Sequence, residues 1–138
     1  MIIFRKLIHF ALCFIFLALT NVQGQIIKVT LLGTGTPLPV IERFGPSILI
    51  EAGEQKFIFD AGRGTLQRLR QINAQYREIQ GVFFTHLHSD HVVGFPDLWL
   101  TGWLTGQRVT PLKVWGPKGT KQMMANLEKA FEFDIKIR

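Results

Sequence analysis

Three of the chain's four histidines fall within six residues, in Thr85-His86-Leu87-His88-Ser89-Asp90-His91, directly after the apolar run Gly81-Val82-Phe83-Phe84. Such a run reads as a buried strand over 81–85, and a strand that ends in a polar, imidazole-rich turn delivers that turn to the rim of a sheet. His86 and His88 stand two apart, so on extended backbone both imidazoles project to one side and can chelate one metal ion. Asp90 and His91 follow where the chain turns into an expected helix, which can aim them at a second ion close by. Imidazole and carboxylate without thiolate suit zinc best, with manganese or iron as alternatives. Paired ions about 3.5–4 Å apart would activate a shared water for in-line attack at phosphorus, sulfur or a carbonyl. A solvated polar loop, or a purely structural metal site, is the bland alternative. A lone histidine would favour it, whereas three histidines and an aspartate at this spacing weigh against it. Structural zinc also usually recruits cysteine.

Cysteine is scarce. The chain's single Cys13 lies inside residues 1–24, which have the order of a secretory signal peptide: Arg5 and Lys6, an apolar run over 7–19, then Asn21-Val22-Gln23-Gly24. That apolar run is too short to span a bilayer, which needs about 20 residues. An uncleaved anchor or a buried helix is the competing reading. Cleavage after Gly24 would leave residues 25–138, remove the only thiol and His9, and place the product in a secreted or periplasmic compartment. It would take two basic residues and no acids from a formal charge of +6. The balance that remains is too mild to demonstrate nucleic-acid binding. A hydrophobic fraction of 47% with 19% charged residues excludes disorder.

Strands are expected over 26–32, 47–51, 56–60, 112–115 and, at the end of the chain, 134–137. Amphipathic or apolar periodicity predicts helices over 65–73, 91–104 (interrupted early by Gly94 and Pro96) and 118–131. Strands come first and then alternate with helices, which suggests a layered α/β domain. The last expected strand has no turn or cap after it, so the chain reads as the front part of a longer protein.

Taken together, the motifs resemble one family. Thr85-His86-Leu87-His88-Ser89-Asp90-His91 matches the H-x-H-x-D-H signature of the metallo-β-lactamase superfamily. Leu32-Gly33-Thr34-Gly35-Thr36-Pro37, Phe59-Asp60-Ala61-Gly62-Arg63-Gly64-Thr65, Gly94-Phe95-Pro96 and Trp115-Gly116-Pro117-Lys118-Gly119 resemble its ribonuclease Z-like branch, in the same order. The resemblance implies an α/β fold of the four-layer α+β type, the αββα sandwich, with only its N-terminal half here. It implies that His86 and His88 serve one zinc, that Asp90 and His91 serve a second, and that the remaining ligands lie beyond Arg138. Asp90 would also orient or deprotonate the attacking water. His91 stands where the β-lactam hydrolases commonly carry another residue.

The resemblance implies that Asp60 holds the metal loop through hydrogen bonds; capping the helix that starts near Thr65 is the other reading, and both could hold together. Gly33, Gly35, Gly62 and Gly64 could offer backbone N–H groups to an anion, although tight turns alone would explain them. Arg63 departs from the acidic residue usual there. With Arg68, Arg70 and Arg77 it forms a basic stretch that could attract phosphate or sulfate, or simply a solvated helix face. Trp99, Trp103 and Trp115 could stack on a substrate ring, though Trp at helical spacing is more often core. The activity implied is zinc-dependent hydrolysis of a phosphodiester, in RNA or a small ester, or of an aryl sulfate. A non-catalytic extracytoplasmic metal-binding or interaction domain is the alternative.

Overall fold

The computed structural model describes residues 26–137, so the signal segment read over 1–24 lies outside the described residues. Five strands form one sheet in chain order: β1 (Ile27–Gly33), β2 (Ser47–Ala52), β3 (Gln55–Phe59), β4 (Ile79–Phe83) and β5 (Lys113–Trp115). The first three pair antiparallel, and β3–β4 and β4–β5 pair parallel. The connections explain the switch. Gly53-Glu54 closes β2 onto β3 as a two-residue hairpin with Gly53 at φ 59°. Each parallel step instead needs a long crossover, and these carry the helices: α1 (Thr65–Gln71) and a 3-10 turn (Tyr76–Glu78), then α2 (Ser89–Val92) and α3 (Phe95–Leu104). α4 (Thr120–Ala130) and α5 (Glu132–Ile137) follow β5.

The register sorts side chains into two unlike faces. Thr30, Leu49, Ile58, Val82 and Val114 line up across all five strands. Leu49, Ile58 and Val82 are at most 1% exposed, because Leu69 of α1 and Phe95 and Leu98 of α3 join them in the core. The opposite face carries the row Leu31, Ile48, Phe59, Phe83 and Trp115. Phe83 stacks between Phe59 and Trp115, with centroids at 4.8 and 4.6 Å. Gly81 permits this, since a Cβ there would lie 2.4 Å from the Trp115 ring. No described element covers that face, and Leu31 is 64% exposed. A sheet with helices on one side and an apolar second side is one half of the expected sandwich.

The end of the chain corrects the sequence reading. The strand expected over 134–137 is helical, part of α5. Alternating Phe133, Ile135 and Ile137 imitate a strand period. The pattern that operates is Phe131 and Ile135, four apart and partly buried, with Phe133 and Ile137 left exposed. Glu132 and Lys136 add an i,i+4 ion pair of 2.6 Å. The helix expected over 91–104 is two helices, with Gly94 packed too closely on Gly62 for any side chain. Among the described residues no helix is long and apolar enough to cross a membrane.

Arg108 finishes α3. Its Nη2 donates to the carbonyls of Trp99 at 3.1 Å and Leu98 at 3.4 Å, and Gly102 leaves room for the guanidinium. Burial pushes its pKa below the ordinary arginine value without neutralising it.

Candidate metal centre

Asp60 organises the site. It follows β3 at φ 58°, a left-handed conformation that Asp tolerates better than most residues. Its amide donates to Phe83 O at 2.8 Å, which ties it to the end of β4. The carboxylate is buried, at 6% residue exposure, and receives three hydrogen bonds. Thr85 N donates to Oδ1 at 2.8 Å, Thr85 Oγ1 to Oδ2 at 2.7 Å, and His91 Nδ1 to Oδ2 at 2.8 Å. The capping alternative fails: the N-cap of α1 is Gly64, with no side-chain cap.

This network sets two tautomers. A carboxylate accepts only, so His91 carries its proton on Nδ1 and leaves the Nε2 lone pair open. Thr85 has one hydroxyl proton and gives it to Asp60. Its Oγ1 therefore accepts at the 3.0 Å contact with His86 Nδ1, which leaves His86 Nε2 open as well. These protons are assigned from the hydrogen-bond pattern. An imidazole whose far nitrogen is tied to a carboxylate or hydroxyl is the usual arrangement of a metal-ligating histidine. The donor set fits zinc.

The four expected ligands do come together. The His86 and His88 rings lie 4.6 Å apart and the His86 and His91 rings 3.9 Å apart. Asp90 Oδ2 stands 3.6 Å from His91 Nε2, beyond hydrogen-bond range. His86, Asp90 and His91 are half-buried, and His88 is exposed. They do not make a closed cage. Among the described residues no three His, Cys, Asp or Glu side chains are arranged to hold one ion.

Gly35 and Gly62 act by close approach rather than as an anion cradle. Gly35 N–H donates to Phe44 O at 2.7 Å and Gly62 N–H to Pro46 O at 3.0 Å, so neither is offered to a ligand. A Cβ on Gly62 would lie 2.5 Å from Asp90 O, so only glycine lets loop 60–64 support the backbone of the histidine-rich turn. Arg63, Arg70 and Arg77 are exposed, whereas Arg68 folds back onto loop 34–46. Trp99 and Trp103 line a groove of about 590 Å³ with Glu128 and Ile135, and no histidine borders it. Trp115 belongs to the aromatic row of the open sheet face. The part played by the Thr85 hydroxyl had no sequence signal beyond its place before the first histidine.

Comparison with known proteins bears on the family and the fold. A family model described as "Anti-Pycsar protein Apyc1" matches residues 27–129. The Ribonuclease Z of Mycolicibacterium gilvum is 45% identical over 114 residues, covering 81% of this chain and 40% of the relative. That of Mycobacterium marinum is 44% identical, with 81% and 41% covered. The chain thus spans about two fifths of the length of the curated relatives it matches. Among solved structures, human tRNase Z, short form, superposes with a TM-score of 0.68 at 29% identity, over 79% of this chain and 40% of that one. A metallo-beta-lactamase fold protein of Bacillus subtilis superposes at 0.63 and 20% identity, over 72% and 40%, which speaks for the fold alone.

Proposed function

The chain belongs to the Anti-Pycsar protein Apyc1 family, and from that premise we propose that it forms the ligand-bearing part of a zinc-dependent phosphodiester hydrolase, ribonuclease Z-like in sequence. The observation that carries the proposal is the Asp60–Thr85–His86–His91 network, which leaves the Nε2 atoms of His86 and His91 open, that of His91 beside Asp90. His86 and His88 would hold one zinc, Asp90 and His91 a second. Bound there, zinc supplies Lewis acidity and a nucleophilic water at neutral pH. Asp60 keeps His91 oriented and its Nδ1 protonated. Asp90 takes up and holds a proton from the attacking water on its carboxylate. Nucleic acid is the phosphodiester class that the names of the curated relatives point to; no relative named above points to aryl sulfates.

The test is the zinc-loaded full-length protein on a chromogenic phosphodiester and on an RNA oligonucleotide. Turnover that a chelator abolishes and added zinc restores supports the proposal. Zinc binding without turnover of either would favour the non-catalytic domain instead.

Two expected results follow. Asp60→Ala frees the His91 ring and strands Thr85, so zinc affinity should fall roughly 10- to 100-fold. Metal titration by calorimetry checks this, and unchanged affinity would remove Asp60 from the site. We also propose that the protein is exported with cleavage after Gly24. Mass spectrometry of the extracellular or periplasmic form should then find Gln25 first, and an intact Met1 would refute export by this route.

A further inference from the structure

Loop 34–46, between β1 and β2, has almost no apolar packing of its own. Leu38 and Ile41 are 70% and 74% exposed, and a cavity of about 310 Å³ borders the loop, lined in part by Thr30, Leu32, Glu42 and Arg43. What grips its outer half is Arg68 of α1. Arg68 Nη2 donates to Glu42 O at 2.6 Å and to Ile41 O at 3.4 Å. Its guanidinium carbon lies 4.7 Å from the centroid of the Phe44 ring, within cation–π range. Nη1 is held by Gln71 Oε1 at 2.9 Å.

The grip is passed inward through Phe44. This residue has φ 57°, a costly conformation for an aromatic side chain unless its surroundings hold it. Its ring rests on Gly64, where a Cβ would come within 2.4 Å of Phe44 Cγ. Gly45, the next residue, donates to Arg63 O at 2.9 Å. A Cβ on Gly45 would stand 3.1 Å from Asp90 O. Arg68 therefore connects through Phe44 and Gly45 to loop 60–64, where Ala61 N–H donates to His91 O at 2.8 Å, the backbone of the histidine-rich turn.

We propose that Arg68 is a positioning residue of the hydrolytic site, clamping loop 34–46 so that its Gly45 end, through loop 60–64, fixes the backbone at residues 90–91. The inference rests on the function proposed above. It requires the planar fork of arginine, which reaches two carbonyls and lies on a ring at once, and not merely a positive charge.

The test compares Arg68→Met, Arg68→Lys and the exposed-neighbour control Arg70→Met in the full-length protein. Hydrogen exchange followed by mass spectrometry reads the clamp without metal or substrate. Both Arg68 variants should exchange faster by roughly tenfold in peptides covering 34–46 and 88–94, with the strands over 48–59 and the Arg70 control unchanged. With zinc bound and bis(4-nitrophenyl) phosphate as substrate, kcat should fall about tenfold in both while KM stays within about twofold. Unchanged exchange in the two peptides overturns the clamp. Wild-type behaviour in Arg68→Lys overturns the fork, and faster exchange everywhere reduces Arg68 to general stability. A raised KM at constant kcat would make Arg68 a substrate-binding cation and overturn the proposal. If the wild-type protein turns over no phosphodiester, the proposed function fails separately and the exchange experiment still decides the clamp.

Discussion

Alanine at His86, His88, Asp90 or His91 in the full-length protein is expected to cut phosphodiester turnover by roughly a thousandfold or more, with a parallel loss of bound zinc. The size follows from the network. His86 and His91 are each held by one ring nitrogen, at 3.0 and 2.8 Å, so the other is already aimed and costs nothing further to orient. Removing such a side chain opens a coordination position that only water can fill. His88 gives the cleanest comparison. It is exposed, and among the described residues no hydrogen bond holds its ring, so His88→Ala should leave folding untouched and act through the metal alone. Zinc content by elemental analysis, beside kcat and thermal midpoint, separates the effects. A His88→Ala protein with wild-type zinc and turnover would show that the site lies elsewhere.

What could be read from the sequence was whatever local chemistry dictates. The histidine-rich turn stood out because three imidazoles and a carboxylate follow an apolar strand, and no propensity argument was needed. The paired strands were legible because their interior residues are β-branched or aromatic. Other features depend on contacts between distant segments, which periodicity does not encode. Asp60 could have capped α1 or supported the ligand turn, and only the parallel pairing of β3 with β4 decides it, by bringing Phe83 O and Thr85 against it. Arg68 reads as one more charge on a helix surface until loop 34–46 is seen beneath its guanidinium. The misread strand at 134–137 has the same origin. Alternation and four-residue spacing coexist in Phe131-Glu132-Phe133-Asp134-Ile135, and the burial of Phe131 and Ile135 against neighbouring helices selects the helix.

Residues 25–138 produced alone are expected to self-associate, to bind at most one zinc with weak affinity, and to hydrolyse neither a chromogenic phosphodiester nor an aryl sulfate. The association follows from the open sheet face, where Leu31, Ile48, Phe59, Phe83 and Trp115 form an apolar row that no described element covers. Few soluble monomers leave such a continuous patch in water. The edge strand makes matters worse: among the described residues β1 pairs only with β2, and Ile27, Val29 and Leu31 are all more than half exposed along it, a template for pairing with another chain. The catalytic deficit has a separate cause. His86 and His88 supply two donors, Asp90 and His91 two more, and no third protein donor joins either pair among the described residues. Two ions held by two ligands each would not stay close enough to share one nucleophile. Light scattering, equilibrium dialysis with zinc and the two chromogenic assays examine these points independently. A monodisperse monomer holding two tightly bound zinc ions and turning over either ester would mean that this stretch of chain supplies a complete site through donors other than the four assigned.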